Sequence, residues 1–149
     1  MDRLTDEEDA LWRALAHVVH LLPPALDDDM TRTEGLSMTE FAILHSLAEA
    51  PDRSLRMVDL AAAVALSPSR VTRVVGDLTR FGLVRRSRHA TDARGSVAVL
   101  TEAGVKKAES ADPSHADSAR RHVFAHIDPA DQPAVRRALR QIADALSRG

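Results

Sequence analysis

The chain has 149 residues, of which 44% are hydrophobic and 28% charged, and its formal net charge at pH 7 is −2. This length supports one ordinary hydrophobic core, so a single domain over residues 1–149 is predicted. The absence of cysteine excludes disulfides, thiolate metal ligands and a thiol redox sensor. The acidic N-terminus has no long apolar run, which predicts a soluble cytoplasmic protein without a membrane segment.

The first predicted helix begins at Thr5 and places apolar residues at three- and four-residue steps as far as Leu22. Acids in its first turn complement the helix dipole. Pro23 and Pro24 are expected to break or bend this helix. The polar stretch 27–35 is then expected to form a loop or a frayed helix end.

A capping box formed by Ser37 and Glu40 predicts the start of a second helix. A third helix follows over about 56–64, and a short link joins it to a fourth. Ser67 is a good N-cap for that fourth helix, and Pro68 suits its first position. Two short helices joined by so tight a turn are typical of a helix-turn-helix.

The stretch 67–81 predicts a helix with two different faces. One face is apolar and can dock on a core, with Val71, Val74, Val75, Leu78 and Phe81. The other face is polar, with Ser69, Arg70, Thr72, Arg73, Asp77 and Arg80. A charged face of this kind is most often only solvated, so the helix alone does not establish a function.

Two β-leaning runs follow, over 83–89 and 96–101, and a turn-rich segment separates them. They predict a hairpin with arginines on its first arm and at its tip. Seven arginines and two aspartates give the stretch 70–94 a formal charge of +5, within a chain whose net charge is −2. A basic surface of this kind is expected to meet nucleic-acid phosphates.

Two further helices are predicted after the hairpin. Thr101 is expected to cap the first, and Asp112-Pro113 is expected to kink or break it. The last helix, from about Asp131 to Ser147, spaces its apolar residues as a coiled coil does. A helix-turn-helix unit has no room to bury the stripes of the first and last helices, so their expected partners are each other and a second copy of the chain.

With these motifs the sequence resembles the MarR (multiple antibiotic resistance) regulators over essentially its whole length. The most specific strings are SPSRVTRVVGDLTRFGLVRR and TDARGSVAVLTEAG, which contain Asp-x-Arg-Gly at 92–95 and Leu-Thr-x-x-Gly at 100–104. The resemblance implies a mainly α fold with a small β-hairpin wing. A winged helix-turn-helix lobe at 36–104 would lie between dimerisation helices at 1–35 and 105–149.

The resemblance also implies what the protein does. It suggests a cytoplasmic, nucleoid-associated homodimer that binds double-stranded DNA at pseudo-palindromic operators. It further suggests a transcriptional repressor that is released by a small molecule, such as an aromatic or phenolic acid. No cofactor is implied.

The DNA contacts that the resemblance implies fall on two elements. In the recognition helix they are Ser67, Ser69, Arg70, Thr72, Arg73 and Asp77. In the wing they are Arg86, Arg88, Asp92 and Arg94. The helix arginines would donate to guanine in the major groove, whereas Arg94 would enter the minor groove with Asp92 holding its guanidinium.

An effector pocket is implied between the dimerisation helices and the DNA-binding lobe. The residues expected to line it are Trp12, Arg13, His17, His20, Phe41 and His45. An aromatic ring beside a cation or an imidazole suits an aromatic carboxylate. The alternative is that the two aromatic residues belong to the core and that the histidines are solvated.

Three other functions compete with this interpretation of the sequence. His122 and His126 have the spacing of a metal-binding pair, with His115 and residues 27–29 as further candidate ligands, but a solvated helix face is the better interpretation. Enzyme activity is not predicted, since the sequence has no glycine-rich phosphate loop, nucleophile elbow or HExxH pair. The serious alternative is a winged-helix dimer that binds protein, or binds DNA without sequence preference.

Overall fold

A computed structural model describes residues 3–88 and 95–148 of the chain. They form α1 (Asp6–Glu34), α2 (Met38–Glu49), a 3-10 turn (Pro51–Arg53), β1 (Ser54–Arg56), α3 (Met57–Ala63), α4 (Pro68–Arg80), β2 (Val84–Arg88), β3 (Ser96–Leu100), α5 (Glu102–His122), a second 3-10 turn (Phe124–His126) and α6 (Gln132–Ser147). The strands form one antiparallel sheet in the order β1-β3-β2. The predicted fold class, mainly α with a small β wing, is therefore confirmed.

Side-chain caps fix the starts of four helices. Thr5 and Ser37 each form a capping box, at the beginning of α1 and α2. Ser67 accepts a hydrogen bond from the backbone of α4, and Thr101 does the same for α5. Each cap typically stabilises a helix by about 1 kcal/mol. The helix starts predicted at Ser37, Ser67 and Thr101 are confirmed.

The core lies where α2, α3 and α4 meet the sheet and α5. It buries the apolar face predicted for α4, with Val71, Val74, Val75 and Leu78. Phe81 was expected on that face as well, but this prediction is wrong, because its side chain is 67% exposed. The helix ends at Arg80, and Gly82 turns the chain with a left-handed φ of 73°. Phe81 therefore caps the end of the helix, where the chain turns.

The loop or frayed helix end predicted at 27–35 is wrong, since α1 continues through Pro23 and Pro24 to Glu34, with Gly35 as its C-cap. An interior proline costs a helix about 3 kcal/mol, because it removes a hydrogen bond and crowds the preceding turn. The second half of α1 packs along α5 and completely buries Met30. These tertiary contacts offset the local cost of the prolines.

Of the kink or break predicted at Asp112-Pro113, the break is wrong. α5 runs without interruption through Pro113. Glu34 of α1 accepts hydrogen bonds from Ser114 and, at 3.4 Å, from Lys107. These two partners lie on either side of the proline, so Glu34 of α1 contacts both halves of α5.

The arms of the predicted hairpin are confirmed, whereas its tip, which includes Asp92 and Arg94, lies outside the described residues. β2 pairs antiparallel with β3 from Val84 opposite Leu100 to Arg88 opposite Ser96. The sequence did not predict β1, which pairs with the other edge of β3. A strand of three residues is too short to show an alternating pattern.

The Leu-Thr-x-x-Gly motif at 100–104 joins the wing to the end of α4. The hydroxyl of Thr101 donates to the carbonyl of Gly82 at 2.7 Å, and the N–H of Thr101 donates to the carbonyl of Leu83 at 3.1 Å. A Cβ at Gly104 would lie 2.1 Å from that same Leu83 carbonyl oxygen. Only glycine leaves the space for this contact.

Apolar side chains remain exposed on α6 and on the first half of α1. Leu139 and Ile142 of α6 are 52% and 47% exposed, and Trp12 of α1 is 62% exposed. α6 has no buried residue and no extensive packing against another described element. These stripes are the ones for which the sequence predicted no room in the helix-turn-helix unit. None of the described helices has the length and apolar character needed to cross a bilayer.

Candidate nucleic-acid interface

A tight turn sets the angle between α3 and α4, which together form the predicted helix-turn-helix. The N–H of Leu66 donates to the carbonyl of Ala61 at 3.1 Å, which closes the end of α3. Ala65 has a left-handed φ of 53° at this point. The chain then enters α4 through its Ser67 cap.

The outward face of α4 presents the predicted polar residues to solvent. Ser69, Arg70, Thr72 and Arg73 are all exposed, opposite the buried valines. Ser69, Arg70 and Arg73 surround a surface depression of about 380 Å³. No ion pair among residues 3–88 and 95–148 includes either of these arginines. Their guanidinium donors are therefore available to a ligand.

Ser67, Ser69 and Asp77, which are predicted to contact DNA, have partners at the start of α4 or within it. Ser67 accepts a hydrogen bond from the N–H of Arg70 at 3.3 Å and lies 3.3 Å from the hydroxyl of Ser69. Asp77 accepts a hydrogen bond from Arg80, one turn later in α4. Asp77 therefore fixes the guanidinium of Arg80, and Ser67 fixes the beginning of the helix.

The first arm of the wing, β2, carries two more of the predicted DNA contacts. Arg86 and Arg88 are exposed and lie on one face of β2, because alternate residues of a strand point to the same side. Arg86 donates a hydrogen bond to the hydroxyl of Ser96 across the hairpin at 2.7 Å. This contact orients the arginine along the strand pair.

Comparison with known proteins agrees with this geometry. The model of the MarR family matches residues 34–95. Sco3205, a MarR family transcriptional regulator from Streptomyces coelicolor solved in complex with DNA, is 34% identical, with a TM-score of 0.93 over 98% of this chain and 92% of its own. AbsC, another MarR regulator from that organism, is 36% identical, with a TM-score of 0.91 over 100% of both chains. The chain belongs to the MarR family.

A third similar structure also contains DNA. It is MOSR of M. tuberculosis, which is 27% identical, with a TM-score of 0.76 over 91% of this chain and 94% of its own. A search among curated proteins found no match. The predicted resemblance is confirmed, and membership of the MarR family makes this protein a DNA-binding transcriptional regulator.

In this MarR protein a groove of about 490 Å³ lies next to the recognition helix. It is lined by residues of α1 between Leu22 and Asp28, by Met38 and Thr39 at the start of α2, and by Arg70. Asp27 is held at its edge, where its carboxylate accepts a hydrogen bond from the N–H of Met38 at 2.7 Å. The groove therefore connects the first helix with a predicted DNA contact.

The structure brings together two of the six residues predicted to line an effector pocket. Phe41 is buried and stacks on His45, with a distance of 5.6 Å between ring centroids. The ring of His115 lies on Phe41 as well, at 4.6 Å. Burial lowers the pKa of His115, as does the nearby His45, whereas Asp112 acts in the opposite direction.

The other four predicted pocket residues lie on the exposed surface of α1. Arg13 pairs with Asp9 at 2.6 Å, and a ring nitrogen of His20 lies 2.6 Å from the carbonyl of Ala16. Trp12 and His17 are exposed. The effector role of all six residues stays a prediction.

His122 does not pair with His126 but contacts a buried carboxylate of α1. Its Nε2 lies 2.9 Å from Asp29, which also accepts hydrogen bonds from Ser118 at 2.7 Å and from Arg121 at 3.1 Å. The described residues contain no group of three or more metal-ligating side chains. No local pattern in the sequence indicates this cluster, because Asp29 stands in the stretch predicted to be a loop or a frayed helix end.

Hydrogen bonds and charge explain the acidity of Asp29. The hydroxyl of Ser118 and then the ring of His122 donate to its carboxylate, and the charge of Arg121 adds to their effect. Together they lower the pKa of Asp29 to about 2, against an opposing contribution from burial. The carboxylate is therefore ionised at any physiological pH and joins α1 to α5.

Proposed function

We propose that this protein is a sequence-specific, homodimeric repressor that inserts α4 into the major groove of its operator. Arg70 and Arg73 carry this proposal, because both are exposed and neither pairs with an acid in the described chain. A guanidinium can donate two hydrogen bonds to the O6 and N7 atoms of guanine. Ser69 and Thr72, on the same exposed face, have hydroxyls that reach either bases or phosphates.

The wing supplies contacts that position the protein without reading sequence. Arg86 and Arg88 lie on one face of β2 and would bind phosphates beside the groove. Arg94 would enter the adjacent minor groove, with Asp92 holding it, as the family resemblance implies. Asp77 would act indirectly, through its pairing with Arg80.

Dimerisation would come from the exposed stripes on α1 and α6. The two helices match in charge as well as in their apolar faces. The first turn of α1 carries four acids, Asp6, Glu7, Glu8 and Asp9, whereas α6 carries Arg136, Arg137 and Arg140. Pairing of these helices between two copies would bury both stripes and present two recognition helices to one duplex.

Release by a small molecule is the third part of the proposal. A compound bound in the groove beside α4 would contact Arg70, which the operator also needs. An aromatic acid would place its carboxylate on that guanidinium and its ring on Pro23 and Pro24. Because Asp27 and Asp28 also line the groove, aromatic amines of matched shape belong in the same screen. The melting temperature and operator release identify a true effector.

The test of the main proposal is selection of duplexes by the purified full-length protein from a randomised pool. A sequence-specific dimer will enrich a site with two related half-sites about 10 base pairs apart, centre to centre, or a multiple of this distance. It will bind that site far more tightly than a scrambled duplex of the same composition at moderate salt. Equal binding of both duplexes would instead identify a protein that binds DNA without reading its sequence.

A further inference from the structure

Gly76 stands in the middle of α4, where the helix itself gains nothing from a glycine. Glycine destabilises a helix interior by about 0.5–1 kcal/mol relative to alanine. The glycines with left-handed φ in the described chain are Gly35 and Gly82, so the backbone at Gly76 suits any residue. Apart from the adjoining backbone of its own helix, a Cβ added there would meet no atom within 4 Å. Neither conformation nor packing within the described protomer requires this glycine.

Gly76 lies on the outward face of α4. Ser69, Arg73, Gly76 and Arg80 follow one another at steps of four, three and four, so they share one face. That face lies opposite the buried valines of α4. Gly76 therefore occupies the centre of the outward surface, one turn beyond Arg73 and one turn before Arg80.

The dimensions of the duplex explain why a missing side chain at Gly76 matters. The major groove is about 12 Å wide, and a helix with its side chains is about 10–12 Å across. A helix in the groove therefore has little clearance, and one side chain in the centre of its outward face changes how deeply it sits. Arginines on either side of a glycine can reach past the backbone to base edges and phosphates.

We infer that Gly76 is a positioning residue for DNA recognition, since its missing side chain lets the backbone of α4 approach the duplex between Arg73 and Arg80. The inference rests on the proposed placement of α4 in the major groove. A methyl group or a longer side chain at this position would hold the helix outward. Arg70 and Arg73 would then reach the base edges less well, although no contact within the protein would be lost.

Two substitutions separate this role from a structural one. Gly76→Ala and Gly76→Leu both introduce a better helix former into open space, so both variants are expected to melt at a higher temperature than the wild type. Their affinity for the duplex that the wild type selects from a randomised pool is expected to fall in order of size. We expect a loss of about tenfold for alanine and a larger loss for leucine, with tenfold corresponding to about 1.4 kcal/mol.

A control on the same helix isolates the effect of position. The hydroxyl of Thr79 donates to the carbonyl of Val75 in its own helix at 2.8 Å. Thr79→Ala therefore improves helix propensity without filling the gap at Gly76. This variant is expected to keep wild-type affinity.

The outcomes are distinct. A rise in melting temperature with a size-dependent loss of affinity supports the inference. Wild-type affinity in both Gly76 variants, with a clear loss in Arg73→Ala, overturns the inference and leaves the proposed function standing. Wild-type affinity in Arg73→Ala as well would overturn the placement of α4 and the role of Gly76 together.

Discussion

The hydroxyl of Ser118 in α5 donates a hydrogen bond to the carboxylate of Asp29 in α1 at 2.7 Å, across 89 positions of sequence. Asp29 and Ser118 are both buried. Arg121 and His122 donate to the same carboxylate. This cluster, Asp29 with Ser118, Arg121 and His122, joins the helix proposed to mediate dimerisation to the helix that follows the wing.

Replacing Asp29 with asparagine tests the strength of this cluster. Asp29→Asn should lower the melting temperature at pH 7 by several degrees, because a buried charged acceptor is lost while its donors remain. Asp28→Asn is the matched control, since Asp28 is the exposed neighbour. Equal melting temperatures for Asp29→Asn and the wild type would show that the cluster contributes no net stability.

The acidity of Asp29 also predicts a pH dependence. Its pKa falls from the ordinary 3.8 to about 2 on folding, so the unfolded chain takes up this proton first as the pH is lowered. The resulting stabilisation is complete above about pH 4 and is lost as the pH falls towards 2. The difference in melting temperature between wild type and Asp29→Asn should therefore shrink across this interval. A constant difference from pH 5 to pH 2 would contradict the lowered pKa.

Gly104 should be far less tolerant of alanine than Gly76. A Cβ at Gly104 would lie 2.1 Å from the backbone oxygen of Leu83, which cannot move without disturbing the end of α4. Gly104→Ala is expected to cost about 2 kcal/mol or more in the free energy of unfolding. Gly76→Ala, which fills open space in a helix, should gain up to about 1 kcal/mol. Denaturant unfolding of both variants measures whether the two changes in the free energy of unfolding have opposite signs.

The turn of the helix-turn-helix contains a residue with a strained backbone, and a substitution can relieve this strain. Ala65 has a φ of 53°, and left-handed backbone costs a residue with a Cβ about 1–2 kcal/mol. Ala65→Gly removes that cost, but it also raises the conformational entropy of the unfolded chain, which costs about 0.4–1 kcal/mol. A net gain of roughly 0.5–1 kcal/mol in the free energy of unfolding is therefore expected. Ala62→Gly, at an exposed helical position of α3, should instead destabilise. A lower free energy of unfolding in both variants would show that Ala65 is not strained.

The proposed dimer interface makes a prediction about oligomeric state. Leu139 and Ile142 lie on the exposed stripe of α6, so the double substitution Leu139→Glu/Ile142→Glu should give monomers or much weaker dimers by light scattering. Gln141→Glu, on the same helix, adds one of the same charges away from the stripe and should leave the dimer intact. A stable dimer of the double variant would show that α6 is not part of the interface.

The sequence predicts best those features that depend on neighbouring residues. The cap at Ser67, the proline that follows it and the valine spacing are all local, and together they locate α4 and its two faces. Exposure of Arg70 and Arg73 follows from the same periodicity. The two β-leaning runs predicted the arms of the hairpin, and the family motifs added the family assignment.

The predictions that fail depend on contacts between distant parts of the chain. Local rules end a helix at Pro23 and Pro24, but they cannot register that α5 will pack along the residues beyond. Asp29 looks like part of a solvated acidic run until Ser118 is placed beside it. Phe81 fits the apolar period of α4, yet the helix ends one residue before it.

The central claim, that the outward face of α4 reads base sequence, is tested most directly by comparing Arg73→Ala with Arg88→Ala on a selected duplex and on its scrambled counterpart. Arg73→Ala should lose about 1–3 kcal/mol on the selected duplex and much less on the scrambled one, so its sequence preference falls. Arg88→Ala, at a proposed phosphate contact, should weaken both complexes alike and reduce their salt dependence. Undiminished sequence preference in Arg73→Ala would contradict the claim.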